Sequence, residues 1–265
     1  MDVRKTYKLY VGGEFVRSES GRAHRVRDVN VPRASRKDLR DAVRVARGAC
    51  GGWSRRTAMN RGQVLYRAAE MLDSRRSQFT TLLGGGQPAR RELDGCVDAW
   101  VWYAGCADKL AQVAGTVNPV AGPYFNFTIP EPTGVVGILA PEPPLLGLVS
   151  RLAPVLVGGN TAVVVASEAH PLVAIELAEC LATADVPPGV VNVITGLRRE
   201  LAPQLASHMD VVALDVTGAD GDLAELERLG AENVKRIVRG KADGQSPYEI
   251  AAFLELKTVW HPIGM

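Results

Sequence analysis

Two textures of apolar spacing divide the chain. Up to residue 115 the apolar positions recur at helical intervals. Leu39, Ala42, Val43 and Ala46 form one such face, and Val64, Leu65, Ala68, Ala69 and Leu72 a second. Leu93, Val97, Trp100, Val101 and Ala104 form a third. Ser35 with Asp38 makes a capping-box-like start for the first helix, since both side chains can satisfy orphan amide donors. Gly84-Gly85-Gly86 punctuates the gap between the second and the third. Ahead of all three, residues 9–16 carry two β-prone runs hinged on Gly12-Gly13, a hairpin signature.

From Gly134 onward short apolar runs alternate with helical patterns. The runs at 135–140, 161–165, 190–194, 211–215 and 234–238 read as strands. Between them, 145–157, 172–184, 197–207 and 223–229 read as helices. Apolar strands spaced by helices imply parallel βαβ units covered on both faces. The predicted fold class is therefore α/β, with a doubly wound, Rossmann-like domain of the NAD-binding type. Two segments stand outside it. Residues 124–129 form a β-prone run bounded by Pro119, Pro123, Pro130 and Pro132, which confine it to an edge or a projecting ribbon. Residues 253–260 form a second orphan strand. The predicted organisation is a hairpin and helical part over 1–115, a projecting β arm over 116–133, the α/β domain over 134–245 and a final strand over 246–265.

Composition narrows the function. The chain has 265 residues, 46% of them hydrophobic, and 31 basic against 29 acidic side chains. A net charge of +2 gives no footprint for nucleic acid. The basic stretch 22–47 is interleaved with Asp28, Asp38 and Asp41 and reads as a solvated face. No apolar run reaches the roughly 18–20 residues that a membrane span needs, and no signal-peptide stretch is seen, so a cytoplasmic location is expected. Cys50, Cys96, Cys106 and Cys180 show no C-x-x-C pair and no ligand-like spacing with histidine. Neither a disulfide framework nor a metal site is predicted.

Three motifs resemble the aldehyde dehydrogenase superfamily. They are Glu131-Pro132-Thr133-Gly134-Val135-Val136-Gly137-Ile138, the run from Leu152-Ala153-Pro154 to Gly158-Gly159-Asn160-Thr161, and Val186-Pro187-Pro188-Gly189 continuing through Val190-Val191-Asn192-Val193-Ile194-Thr195-Gly196. The resemblance implies an NAD-binding domain, a projecting arm, a catalytic domain, and a final strand that completes the arm and joins subunits. Glu255-Leu256-Lys257-Thr258-Val259-Trp260 is similar to that final strand, yet only 47 residues follow Gly218, where the family places its catalytic domain. The chain thus resembles a member with its catalytic domain absent, like the non-catalytic second module of two-module relatives.

Aldehyde oxidation needs a thiolate, a carboxylate base and oxyanion donors. The family draws thiol and base from the absent region, so no catalytic residue is assigned, and the four cysteines are expected to be packed small residues. The family's Pro-Trp-Asn-Phe-Pro turn reads Pro141-Glu142-Pro143-Pro144, without the asparagine donor. Its Lys-Pro-Ser-Glu motif reads Val165-Ala166-Ser167-Glu168, and its glycine-rich turn begins Val216-Thr217-Gly218 but puts Leu223 at the second glycine. Glu168, Thr217 and Gly218 are the vestigial cofactor-binding candidates. Leu223 is expected to obstruct a pyrophosphate, and Asp220 and Asp222 to oppose its charge. No cofactor is expected, with NAD weak at best. The leading expectation is a non-catalytic subunit that assembles with itself or with a full-length aldehyde dehydrogenase. The candidate interface is Phe125, Phe127, Leu256, Thr258, Val259 and Trp260. Alternation places Leu254, Leu256, Thr258 and Trp260 on a packing face and Glu255, Lys257 and Val259 on a wetter one. The alternatives are an NAD(P)-dependent oxidoreductase with a reduced or partner-completed site, and a nucleotide-sensing module.

Overall fold

The computed structural model describes residues 5–221 and 223–264. Strands β1 (Leu9–Val11) and β2 (Glu14–Val16) form the anticipated hairpin, turned by Gly12 and Gly13 at φ 67° and 85°. A second hairpin follows, β3 (Ala23–Val26) and β4 (Val29–Pro32). Helix α1 (Arg36–Ser54) then starts at Ser35, whose hydroxyl accepts from the Lys37 and Asp38 amides while the Asp38 carboxylate accepts from the Ser35 amide. That reciprocal pair is the predicted capping box. Helices α2 (Ala58–Ser74), α3 (Arg76–Leu82), α4 (Gly86–Cys106) and the single turn α5 (Leu110–Val113) complete the first part.

The remainder alternates as the apolar runs foretell. After β5 (Tyr124–Pro132) come β6 (Val135–Leu139), α6 (Leu146–Val157), β7 (Thr161–Val165), α7 (Pro171–Thr183), β8 (Val191–Ile194) and α8 (Arg198–Ser207). Then β9 (Ala213–Asp215), α9 (Leu223–Ala231), β10 (Arg236–Val238), α10 (Pro247–Ala251) and β11 (Leu254–Pro262). The main sheet runs β10-β9-β6-β7-β8-β1-β2. Its first five strands are parallel, and β1 joins β8 antiparallel, so the N-terminal hairpin is the sheet's far edge.

Period-two alternation sorts the side chains into two cores. Val136, Ile138, Ala162 and Val164 face a cluster with α2, α4, α6 and α7. Val135, Leu139, Val163 and Val165 face the other, with α1, α8 and α9. Gly137 has no side chain because a Cβ there would meet Leu205 at 2.7 Å, where α8 lies close on the sheet.

Two sequence readings are corrected. The third helical face is Ala89, Leu93, Cys96, Ala99, Trp100 and Tyr103, while Val101 is exposed and Val97 and Ala104 are half-buried. The apolar periodicity placed the stripe too far round because the helix is apolar on more than one side. The stretch 22–47 folds as the β3–β4 hairpin and the start of α1, and its lysine and arginine side chains other than the half-buried Arg33 are exposed, as the solvated-face reading has it. The second correction concerns the two orphan strands. β5 and β11 pair with each other, antiparallel, over nine residues from Leu254↔Pro132 to Pro262↔Tyr124. The face given to Glu255, Lys257 and Val259 is not the wetter one towards its tip. Val259 stands directly opposite Phe127, with Phe125 and Ile129 on the same face.

The ribbon's root is fixed to the body. The buried Asn160 accepts from the Gly134 amide and donates to the Phe253 carbonyl. Arg236 donates to the Ala252 and Leu254 carbonyls and to the Glu255 carboxylate. Among the described residues no helix is long and apolar enough to cross a membrane, and no cluster of three or more histidine, cysteine or carboxylate side chains is placed to hold a metal.

Candidate functional site

A doubly wound sheet concentrates its chemistry where strand order reverses, at the carboxyl ends. Here the chain leaves β6 outward through β7 and β8, then returns to β9 and β10 on the other side. The loops after β6, β7, β8 and β9 meet there around a cleft of about 690 Å³, lined by Glu142, Ser167, Glu168, Arg198, Thr217 and Gly218 among others.

A side chain of the protein itself is held at this cleft. Arg198 is the first residue of α8, and its guanidinium donates to the carbonyls of Ala140 and Gly218 and, at 2.5 Å, to the Asp220 carboxylate. Its backbone N–H donates to the Glu168 carboxylate. The arginine thus ties the loops after β6, β7 and β9 to its own, and its side chain is only 11% exposed. Sequence reasoning missed it. The available signal was positional: a cation at the residue where the β8 loop enters its helix.

Each sequence-assigned candidate has a structural partner. Glu168 caps the N-terminus of α8, which has no side-chain cap from its own N-cap residue, Leu197. The Thr217 hydroxyl accepts from the Gly240 amide at 2.9 Å, and its own amide donates to Asp215 at 2.9 Å. Gly218 packs on the end of β6, where a Cβ would stand 2.5 Å from the Ala140 backbone. Its glycine is required by that close approach within the chain. Leu223 does not line the cleft; it packs against the core around α8 and β9. Leu223 is half-buried at the start of α9. Asp220 carries the expected negative charge but is ion-paired with Arg198. Asp222 lies outside the described residues.

The acid–base and nucleophile inventory is equally committed. Glu142 accepts from the Ser167 hydroxyl at 2.5 Å and faces the His170 ring at 3.4 Å. No cysteine lines the cleft. Burial raises the Cys50 and Cys106 thiols, lifts Cys96 well above its ordinary range, and pushes Cys180 up to about 12. A nucleophilic thiol needs the opposite shift.

At the ribbon the candidate interface residues are brought together. Trp260 stacks edge-on against Tyr124 with ring centres 5.9 Å apart, and Phe125 lies against Phe127 at 5.6 Å. The hydroxyls of Thr128 and Thr258 share a 3.1 Å hydrogen bond across the ladder. Leu256, Val259 and Trp260 remain exposed. On its other side β5 receives the Val117 bridge, the Thr128-to-Thr116 bond and a bond from the Asn118 amide to the Asn126 side chain, and β11 has no strand on its outer edge among the described residues.

Comparison with known proteins agrees with this architecture. Human retinal dehydrogenase 2 is 34% identical over 271 aligned residues, covering 95% of this chain and 51% of that protein. The omega-crystallin of Enteroctopus dofleini is 32% identical, covering 88% of this chain and 50% of that protein. An aldehyde dehydrogenase from Bacillus cereus, solved as an NAD+ complex, superposes with a TM-score of 0.79 at 27% identity over 88% of this chain and 50% of its own. The chain therefore spans about half the length of the relatives it matches. The α/β fold matches the NAD-binding domain of that group. The sequence profile of the aldehyde dehydrogenase family matches residues 22–260, and the chain belongs to that family.

Proposed function

We propose that this protein is a non-catalytic aldehyde dehydrogenase-like subunit that acts by assembly, with itself or with an active aldehyde dehydrogenase. The observation that carries the reading is the β5–β11 ribbon. It has an open backbone edge and exposed Trp260, Phe125, Val259 and Leu256, which together suit a strand-and-side-chain interface. A two-stranded ribbon alone is marginal, and coverage by another chain would stabilise it.

The cleft supports the same reading. Arg198 already occupies hydrogen-bonding positions between the β6 and β9 loops, and Glu168 is engaged as a helix cap. The chain also passes from β10 to β11 through residues 239–253 alone, so no region there supplies a thiol and a base. NAD binding is accordingly expected to be weaker than about 1 mM, or about −4 kcal/mol.

The test is light scattering of the purified chain, alone and mixed with a full-length aldehyde dehydrogenase, beside calorimetric titration with NAD. The expected result is an oligomer or mixed complex with no saturable NAD heat. A monomer that ignores the full-length enzyme would sink the assembly role. Micromolar NAD affinity would favour the reading as an oxidoreductase completed by a partner.

A further inference from the structure

A second cleft, of about 400 Å³, adjoins the first across Arg199, which lines both. Its walls come from three elements far apart in sequence. Backbone bonds explain why they meet. The Arg33 amide donates to the Arg22 carbonyl at 2.9 Å, which holds the two arginines together at the open end of the β3–β4 hairpin. The Ala34 amide donates to the Thr195 carbonyl at 2.8 Å, and the Thr195 hydroxyl to the Pro32 carbonyl at 2.6 Å. These pin the hairpin to the carboxyl end of β8, beside the first turn of α8. The same chain then starts α1 at Arg36.

Arg22, Arg33, Arg36 and Arg199 therefore line one concavity, against Glu200 as its one carboxylate. Arg33 grips Glu200 through two nitrogens, one at 3.2 Å. That hydrogen-bonded guanidinium, with the charges of Arg199 and Arg22, holds Glu200 below the usual carboxylate range. Arg22, Arg36 and Arg199 have no carboxylate partner among the described residues. Uncompensated guanidinium forks presented from separate elements match the bidentate geometry of phosphoryl oxygens. The volume falls in the range of small-molecule sites and exceeds the need of a single ion. No aromatic side chain lines the cleft, so it has no platform on which to stack a base.

We propose that this cleft binds a small polyanion through at least two phosphoryl groups, with Arg22, Arg36 and Arg199 as the contacts and Arg33–Glu200 as the fixed wall between them. No ribbon residue lines it, so its occupancy is tested apart from assembly.

The experiment is isothermal titration of the full chain with inorganic tripolyphosphate and, separately, with ATP, at fixed ionic strength. The expected result is saturable binding with one site, weakened roughly tenfold in Arg36→Ala and again in Arg199→Ala, as loss of a charge-assisted contact implies. Glu200→Gln should tighten it several-fold by removing the competing anion. Equal affinity for the two ligands assigns the site to free polyphosphate. Tighter ATP binding that still depends on both arginines assigns it to the phosphate tail of a nucleotide. Both arginines are exposed, and circular dichroism checks that the variants fold. Absence of saturable binding to either ligand would overturn the proposal, as would affinity unchanged in the doubly substituted chain.

Discussion

The strand-end cleft and the ribbon are built from similar groups and leave them in opposite states. At the cleft, most of the groups that could have received a ligand bond to one another, as Arg198 does through its two terminal nitrogens to Ala140, Gly218 and Asp220, although its buried Nε has no partner among the described residues. Along the ribbon the ladder between β5 and β11 is complete, yet one backbone edge and several large apolar side chains face solvent. A ligand site can decay without cost to the fold when internal bonds replace those to the ligand. An interface surface has no such substitute, because exposed edges and aromatics are covered only by another surface. The part of the molecule left unsatisfied is the better guide to what it still does.

The sharpest way to break this contrast is to unsatisfy the core. Arg151 is fully buried, donates to Asp215 at 2.6 Å and also to Glu249, and lies over the Phe253 ring at 5.8 Å. Replacing it by leucine strands the fully buried Asp215. Urea unfolding followed by circular dichroism should show a loss of about 3–5 kcal/mol, typical of breaking a buried pair. On the ribbon the opposite outcome is expected. Val259→Asp with Trp260→Asp should leave that unfolding midpoint almost unmoved, yet weaken association by about 2 kcal/mol or more, as truncating an aromatic hot spot does. Light scattering over a concentration series measures this, and an unchanged mass would refute the assembly role.

Arg198→Ala sharpens the cleft side. Removing its charge-assisted bonds should cost about 1.5 kcal/mol or more. A variant as stable as the parent would show that the loops hold without it. The last test concerns pH. Lys235 is buried under the His208 and Val211 carbonyls, and burial lowers its amine from 10.5 to about 8. Between those values the unfolded chain holds more protons than the folded one, so this group makes stability rise with pH across that window. Comparing Lys235→Met with the parent at pH 8 and pH 10 should show a flatter rise in the variant. An identical slope would mean that Lys235 titrates normally.

Much of the fold was legible because its signals are local. The β6 to β10 strands and the helices between them follow from apolar runs bounded by turns, and Ser35 with Asp38 marks a helix start through contacts three residues apart. The β3–β4 hairpin was not legible, since Arg25, Arg27 and Asp28 leave only the short Val29-Asn30-Val31 alternation as a strand signal. The pairing of β5 with β11 is a long-range fact that no local pattern encodes. At the cleft, motif comparison found Glu168, Thr217 and Gly218 but not what engages them. Arg198 acts through bonds to backbone carbonyls of distant loops, which carry no sequence signature. For the same reason the convergence of Arg22, Arg33 and Arg36 on Arg199 was hidden in a stretch whose charges read as solvated.

The bond between Thr128 and Thr258 joins residues 130 positions apart. On the ribosome, then, β5 emerges long before the strand that completes it. At the usual rate of about 5–20 residues per second the gap is on the order of ten seconds. Throughout it Tyr124, Phe125, Phe127 and Ile129 lack their cross-strand neighbours on β11, while the α/β domain folds behind them. Closing so long a loop without that domain would carry a large entropic cost, so zipping of the ribbon follows core folding and reports on it. Until then a nascent chain offers β5 to any β-edge nearby, including that of a neighbouring chain on the same message. Under the proposed assembly role, that interval is when a partner strand would meet no competition from β11 for pairing with β5.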